Sequence, residues 1–224
     1  MMPLPTLSVD ILRDEARTFA IAEGSHTEPT LYGVDNGKTI GTYLEQKFRA
    51  YLKARYEFVE GNSASGIDFP TVGVDVKTTS RRQPQSSSPF KDASQKIYGL
   101  GYALLIFVYG KTDDPAHRTA TLRIINVTYV EKEQTGDYQM TRGIREILEH
   151  DGNAEDLMGF MLEKNLPVDE IKAALLAERI LNEKPPQGYL TMTNAPQWRL
   201  QYGRLITLAG TVPGVESIYR AASD

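Results

Sequence analysis

Residues 66–79 read Gly66-Ile67-Asp68-Phe69-Pro70-Thr71-Val72-Gly73-Val74-Asp75-Val76-Lys77-Thr78-Thr79. From Val72 to Val76 apolar residues take alternate positions, the period of a β-strand with one face in a core. On that period Val72, Val74 and Val76 point inward, while Asp75, Lys77 and Thr79 share the opposite face. Positions i and i+2 of a strand lie roughly 6.5–7 Å apart. An acid and an amine can therefore converge there on one small object, such as a metal-bound water. Asp68 stands seven residues before Asp75, in a short apolar alternation of Ile67 and Phe69. A turn at Pro70-Thr71 or at Gly73 folds its carboxylate back beside Asp75.

Upstream, apolar spacing predicts a helix over Leu7–Ile21 and a loop over Gly24–Gly37. Ile40, Leu44, Phe48, Tyr51 and Leu52 form a stripe that predicts a second helix over Thr39–Tyr56, with Asp35 or Asn36 at its cap. Glu45 lies about 100° of helical rotation from the centre of that stripe. It either reaches into a cleft between helix and sheet or pairs in solvent with Arg49 at i+4. Strands are expected at Tyr56–Glu60, up to Asp68, and through Asp75 and Lys77. The serine- and glycine-rich turn Gly61–Gly66 between the first two has a polar backbone that could approach a phosphate.

Downstream, Ser80–Phe90 holds two prolines and four serines, a composition that predicts a loop without regular structure. Arg81, Arg82, Gln83 and Gln85 stand in it; Arg suits guanine and Gln suits adenine in the major groove. A short helix follows over Asp92–Leu100, carrying Gln95 and Lys96. Tyr102–Tyr109 is continuously apolar, as expected for a strand buried on both faces, and Ala120–Val130 predicts another. Helices are expected over Met140–His150, Ala154–Lys164, Asp169–Asn182 and Asn194–Leu208. The third of these is acidic, which favours a packing or dimerising pair over a DNA-reading helix-turn-helix.

Two carboxylates and a lysine at the end of a hairpin resemble the PD-(D/E)XK nuclease signature. Here it reads Ile67-Asp68, six intervening residues, then Asp75-Val76-Lys77. Ile67 stands where the family commonly has proline. The order helix, three strands, helix, strand over roughly residues 38–110 is similar to that family's αβββαβ core. The resemblance implies an α/β, restriction-endonuclease-like fold with a mixed central sheet flanked by helices and a helical C-terminal region. It divides the chain into a nuclease core at 1–135 and helices at 136–224, or leaves one domain over 1–224.

Within that family the chain looks most like a type II restriction endonuclease. The resemblance implies that Asp68 and Asp75 hold Mg²⁺, with the Val76 carbonyl as a further ligand. It gives Lys77 the attacking water and Glu45 a second ion or a metal water. Double-stranded DNA is then the partner and a symmetric homodimer the expected assembly. The contact candidates are Arg81, Arg82, Gln83, Gln85, Gln95 and Lys96, with Lys38 meeting a phosphate at a helix start. A non-catalytic DNA-binding or scaffold protein of the same fold, or a structure-specific repair nuclease, are the alternatives.

Composition agrees with a globular enzyme: 224 residues, 41% hydrophobic, 24% charged. The net charge of −4 opposes general polyanion binding. Locally the sign reverses, since Lys77–Tyr98 holds five basic residues against the single acid Asp92. Zero cysteines exclude disulfides and thiolate metal sites. With no signal-peptide pattern and no span-length apolar run, a cytoplasmic location without membrane contact is expected. Gly33-Val34-Asp35-Asn36-Gly37-Lys38-Thr39 has three residues between its glycines where a phosphate-binding loop needs four, so no nucleotide cofactor is expected. His26, His117 and His150 show no ligand spacing.

Overall fold

The computed structural model describes residues 3–61, 66–88, 91–194 and 198–222. In chain order the elements are α1 (Val9–Glu23), β1 (Thr27–Glu28), α2 (Gly37–Lys53), β2 (Val74–Ser80), β3 (Gln85–Ser88) and α3 (Gln95–Tyr98). They continue with β4 (Ala103–Asp114), β5 (Thr119–Val130), α4 (Tyr138–Glu149), α5 (Ala154–Glu163) and α6 (Glu170–Asn182). The last are β6 (Thr191–Met192), β7 (Trp198–Gln201), α7 (Gly203–Leu208) and β8 (Val215–Arg220). This is a mixed α/β architecture with a central sheet flanked by helices, as the resemblance implies.

The chain forms two compact units. The first comprises Met1–Pro84, Leu104–Tyr129 and Leu208–Asp224. Its sheet has the order β1-β5-β4-β2, with β8 also pairing β5. Thr27 and Glu28 pair antiparallel with Thr121 and Ala120. β4 and β5 are sheet neighbours joined by the short turn 115–118, a connection that only antiparallel strands allow.

Helix α1 starts where Ser8 Oγ accepts from Ile11 N, and α2 where Asn36 Oδ1 accepts from Lys38 N and Thr39 N. Such caps satisfy donors that helical geometry leaves open. Leu12, Phe19, Leu44, Phe48, Leu52, Val74, Val76 and the run Leu104–Tyr109 are buried. Phe48 is the hub of this core: its ring centre lies 5.0 Å from Phe19 and 5.1 Å from Phe107. Arg13 pairs with Glu216 at 2.6 Å and Arg17 Nε donates to Ile218 O at 2.9 Å, tying α1 to β8.

The second unit comprises Gln85–Ala103 and Val130–Thr207. Its small sheet runs β3-β7-β6, with Ser86 opposite Leu200 and Ser88 opposite Trp198. A separate apolar cluster joins Ile97 of α3, Met140 and Ile144 of α4, Leu157 and Met161 of α5, and Ala177 and Ile180 of α6.

Several expectations are corrected. Tyr56–Glu60 is not a strand; Glu57 makes an isolated parallel bridge to Thr6, with Leu7 N donating to Glu57 O at 3.0 Å. Its neighbour is an N-terminal segment that leaves after one pair, so no ladder extends. The stretch before Asp75 likewise reduces to one bridge, Phe69 with Val74. Half of the serine-rich loop is strand β3, because β7 supplies a partner that composition does not reveal. Within Asn194–Leu208, residues 198–201 form a strand and only Gly203–Leu208 is helical. The tip of the Gly61–Gly66 turn lies outside the described residues. Among the described residues no helix is long and apolar enough to cross a membrane.

Candidate active site

The first half of β2 and the middle of α2 build the site. Phe69 and Val74 exchange backbone hydrogen bonds of 2.9 and 3.2 Å around Pro70–Gly73. Gly73 takes the left-handed conformation, φ +65°, that a side chain would resist there. This tight turn brings Asp68 back alongside β2, where its Oδ2 accepts from Val76 N at 3.0 Å. The other oxygen, Oδ1, is held by Arg49 Nη2 from α2 at 2.5 Å. Spacing alone offered Glu45 as the partner of Arg49; once Asp68 is folded back, it takes the guanidinium instead.

Asp75 is only 3% exposed. Its Oδ2 lies 2.6 Å from Lys77 Nζ, an ion pair, but receives no well-aligned hydrogen bond. Glu45 reaches the sheet from α2, with Oε1 accepting from Thr78 N at 3.2 Å. Helix α2 packs on the same strand at Gly41, where an added Cβ would lie in ordinary contact, 3.7 Å from Thr78 O.

Electrostatics follow from crowding three acids into a partly dry space. Burial, with a further push from Asp68, raises Glu45 to about 7 despite the counter-pull of Lys77. Burial likewise raises Asp75 to about 6, opposed by Lys77 and reinforced by Asp68. Like charges and desolvation both disfavour the anions. Such a cluster stores a demand for positive charge, and raised carboxyl pKa values in a cleft are a mark of chemistry. Among the described residues no three acids or histidines stand in ready ligand geometry. Arg49 and Lys77 hold two of the carboxylates instead.

The structure thus brings Asp68, Asp75, Lys77 and Glu45 together, with the Val76 backbone between them. The other candidates scatter. Lys38 is exposed in the first turn of α2. Arg81 and Arg82 are exposed just beyond β2, and Gln83 O accepts from Thr79 Oγ1 at 3.2 Å. Gln85, Gln95 and Lys96 belong to the second unit. There Gln95 Nε2 donates to Leu100 O at 3.3 Å, and the buried Lys96 ammonium donates to Met192 O at 3.0 Å. Arg49 is the residue that sequence reasoning passed over; its signal was the helical register that sets it one turn beyond Glu45.

Comparison with known proteins supplies the identity. A family model described as type II restriction enzyme NspV matches residues 6–217. The type II restriction enzyme NspV of Nostoc sp. is 61% identical over 214 residues, an alignment covering 96% of this chain and 97% of that protein. No solved structure matches. Matched along nearly its whole length in both comparisons, and with acids and lysine gathered around β2, the chain belongs to the NspV family of type II restriction enzymes.

Proposed function

We propose that this endonuclease hydrolyses phosphodiester bonds of double-stranded DNA at a specific sequence, using Mg²⁺ and the cluster on β2. The observation that carries the reading is the buried Asp75–Lys77 pair with Asp68 and Glu45 directed at the same space. The donor set suits a hard cation. Its oxygens are carboxylates, Asp75 Oδ2 is buried without a directed donor, and burial, reinforced by neighbouring acids, raises two of the acids. Asp68, Asp75 and the Val76 carbonyl would hold the ion, with Glu45 at its edge. Bound there, Mg²⁺ supplies a Lewis acid for the scissile phosphate and lowers the pKa of water.

The remaining work falls to side chains. Lys77 orients the attacking water and offsets negative charge growing on the phosphate. Asp75 fixes the Lys77 ammonium at 2.6 Å. Arg49 positions Asp68 through its Oδ1. Glu45, raised to about 7, can take or release a proton at its carboxylate near neutral pH. Arg81, Arg82 and Gln83 would contact DNA beyond the strand, and Lys38 would meet a phosphate at a helix start. Cutting both strands of a two-fold symmetric site calls for a homodimer.

The test is cleavage of a long, unmethylated DNA of known sequence with Mg²⁺, with EDTA and Lys77→Ala as controls. Discrete fragments, lost in both controls, are the expected result. A smear lost in both would leave a nuclease without sequence specificity. Intact DNA across several metals and DNA sources would favour a non-catalytic binding protein.

A further inference from the structure

A second polar feature of the first unit lies at the far end of β2. A cavity of about 250 Å³ is lined by Arg81, Arg123, Ile125, Asn126, Arg220, Ala221 and Ala222. The lining brings three arginines together from the end of β2, from β5 and from the end of β8, and contains no acidic side chain. The Arg81 and Ile125 side chains meet over Gly110 on β4. A Cβ added there would lie 3.3 Å from Ile125 Cδ1 and 3.7 Å from Arg81 Cδ. Arg81 N continues the ladder by donating to Tyr109 O at 2.9 Å. Arg123 Nη2 donates to Ala222 O at 3.0 Å, and Ala221 N to Ile125 O at 2.8 Å, which holds the β8 end in register.

Asn126 adds a polar group to the wall. It is 6% exposed, and its Oδ1 is buried without a hydrogen-bond partner. Arginine forks and amide donors suit the oxygens of a phosphate. The volume equals several water molecules at about 30 Å³ each, enough for a hydrated phosphodiester.

Strand alternation links this cavity to the carboxylates. Arg81 stands six residues after Asp75, the same parity as Lys77 and Thr79, and so on the same face. Six residues of strand span roughly 20 Å. We infer that this cavity holds a backbone phosphate of the duplex roughly 20 Å from the cleaved bond, an inference that rests on the proposed reading of β2 as the cleavage site.

The test measures binding to a duplex carrying the mapped site, in a Lys77→Ala background that leaves the DNA intact, between about 50 and 200 mM salt. Arg123→Gln and Arg220→Gln should each weaken binding and reduce the slope of log K against log salt by about 1. Arg123→Lys and Arg220→Lys keep the charge and should restore most of the slope. Arg142→Gln, which removes an exposed arginine paired with Glu146 on α4, should leave the slope as it was. Matching thermal melts confirm that each variant is folded. Duplex binding by the Lys77→Ala parent with slopes unmoved by the Gln variants would overturn the cavity alone. An equal fall in Arg142→Gln would reduce the effect to net charge and overturn it too. So would loss of inorganic phosphate binding with duplex binding intact, which marks a small-anion site. A parent that binds no duplex would overturn the functional reading and this inference with it.

Discussion

Two buried polar centres, one in each unit, are built on opposite terms. In the second unit Asp137 is 6% exposed, yet both its oxygens are used: Oδ1 accepts from Met140 N at 2.9 Å, and Oδ2 from Met192 N at 2.8 Å. It caps α4 and ties that cap to β6. In the first unit Asp75 is buried as deeply, but its Oδ2 has a cation beside it and no aligned donor, and other acids crowd it. A satisfied buried acid stabilises; one crowded by other acids costs stability until positive charge offsets them. Burial therefore does not separate architecture from chemistry. Hydrogen-bond satisfaction does.

The sharpest break of this contrast is a pair of substitutions. Asp75→Asn should lower DNA cleavage by about 10³-fold or more while leaving the melting temperature equal or higher, since it removes a desolvated charge. Asp137→Ala should do the reverse, destabilising by about 2–4 kcal/mol through two orphaned N–H groups. Should Asp75→Asn unfold the protein, or Asp137→Ala melt like the parent, the distinction fails.

A smaller effect appears on titration without metal. Glu45 and Asp75 hold protons up to about 7 and about 6 in the folded chain, but release them near 4 when unfolded. Between those values the folded state binds more protons, so stability falls as pH rises from about 4 to 7. Calorimetry in EDTA should show this decline, and Mg²⁺ should flatten it by favouring the anions. A flat profile in EDTA would mean that the acids are not in conflict.

The smallest effect concerns Lys96, whose ammonium donates to Met192 O and to Asn194 Oδ1. Lys96→Met should change stability by no more than about 1–2 kcal/mol, since an apolar stem replaces a desolvated cation. The salt dependence of DNA binding should not change. A slope reduced by about 1 would place Lys96 on a phosphate.

What the sequence disclosed follows from where its signals are local. Alternation over Val72–Val76 and the stripe on α2 are period signals; the structure realises the stripe, and the alternation only from Val74, with Val72 in the turn before the strand. The signature Asp68…Asp75-Val76-Lys77 was readable because a short turn links its parts. Strand β3 was not, since a polar segment becomes a strand only when β7 supplies its hydrogen bonds. Tyr56–Glu60 erred the other way: its residues favour strands, but it meets no partner beyond one bridge. Arg123 and Arg220 stand 97 positions apart, and nothing local marks them as neighbours. Lys96 looked like a surface cation because burial depends on the fold around it.

The pairing of β8 with β5 has a consequence for how the enzyme comes into being. Asp68, Asp75 and Lys77 leave the ribosome early, whereas the strand that completes their sheet is made almost a hundred residues after its partner. Contacts so distant in sequence form late. A growing chain thus carries Asp68, Asp75 and Lys77 on an open sheet until β8 has been made, a built-in delay between their synthesis and a finished sheet.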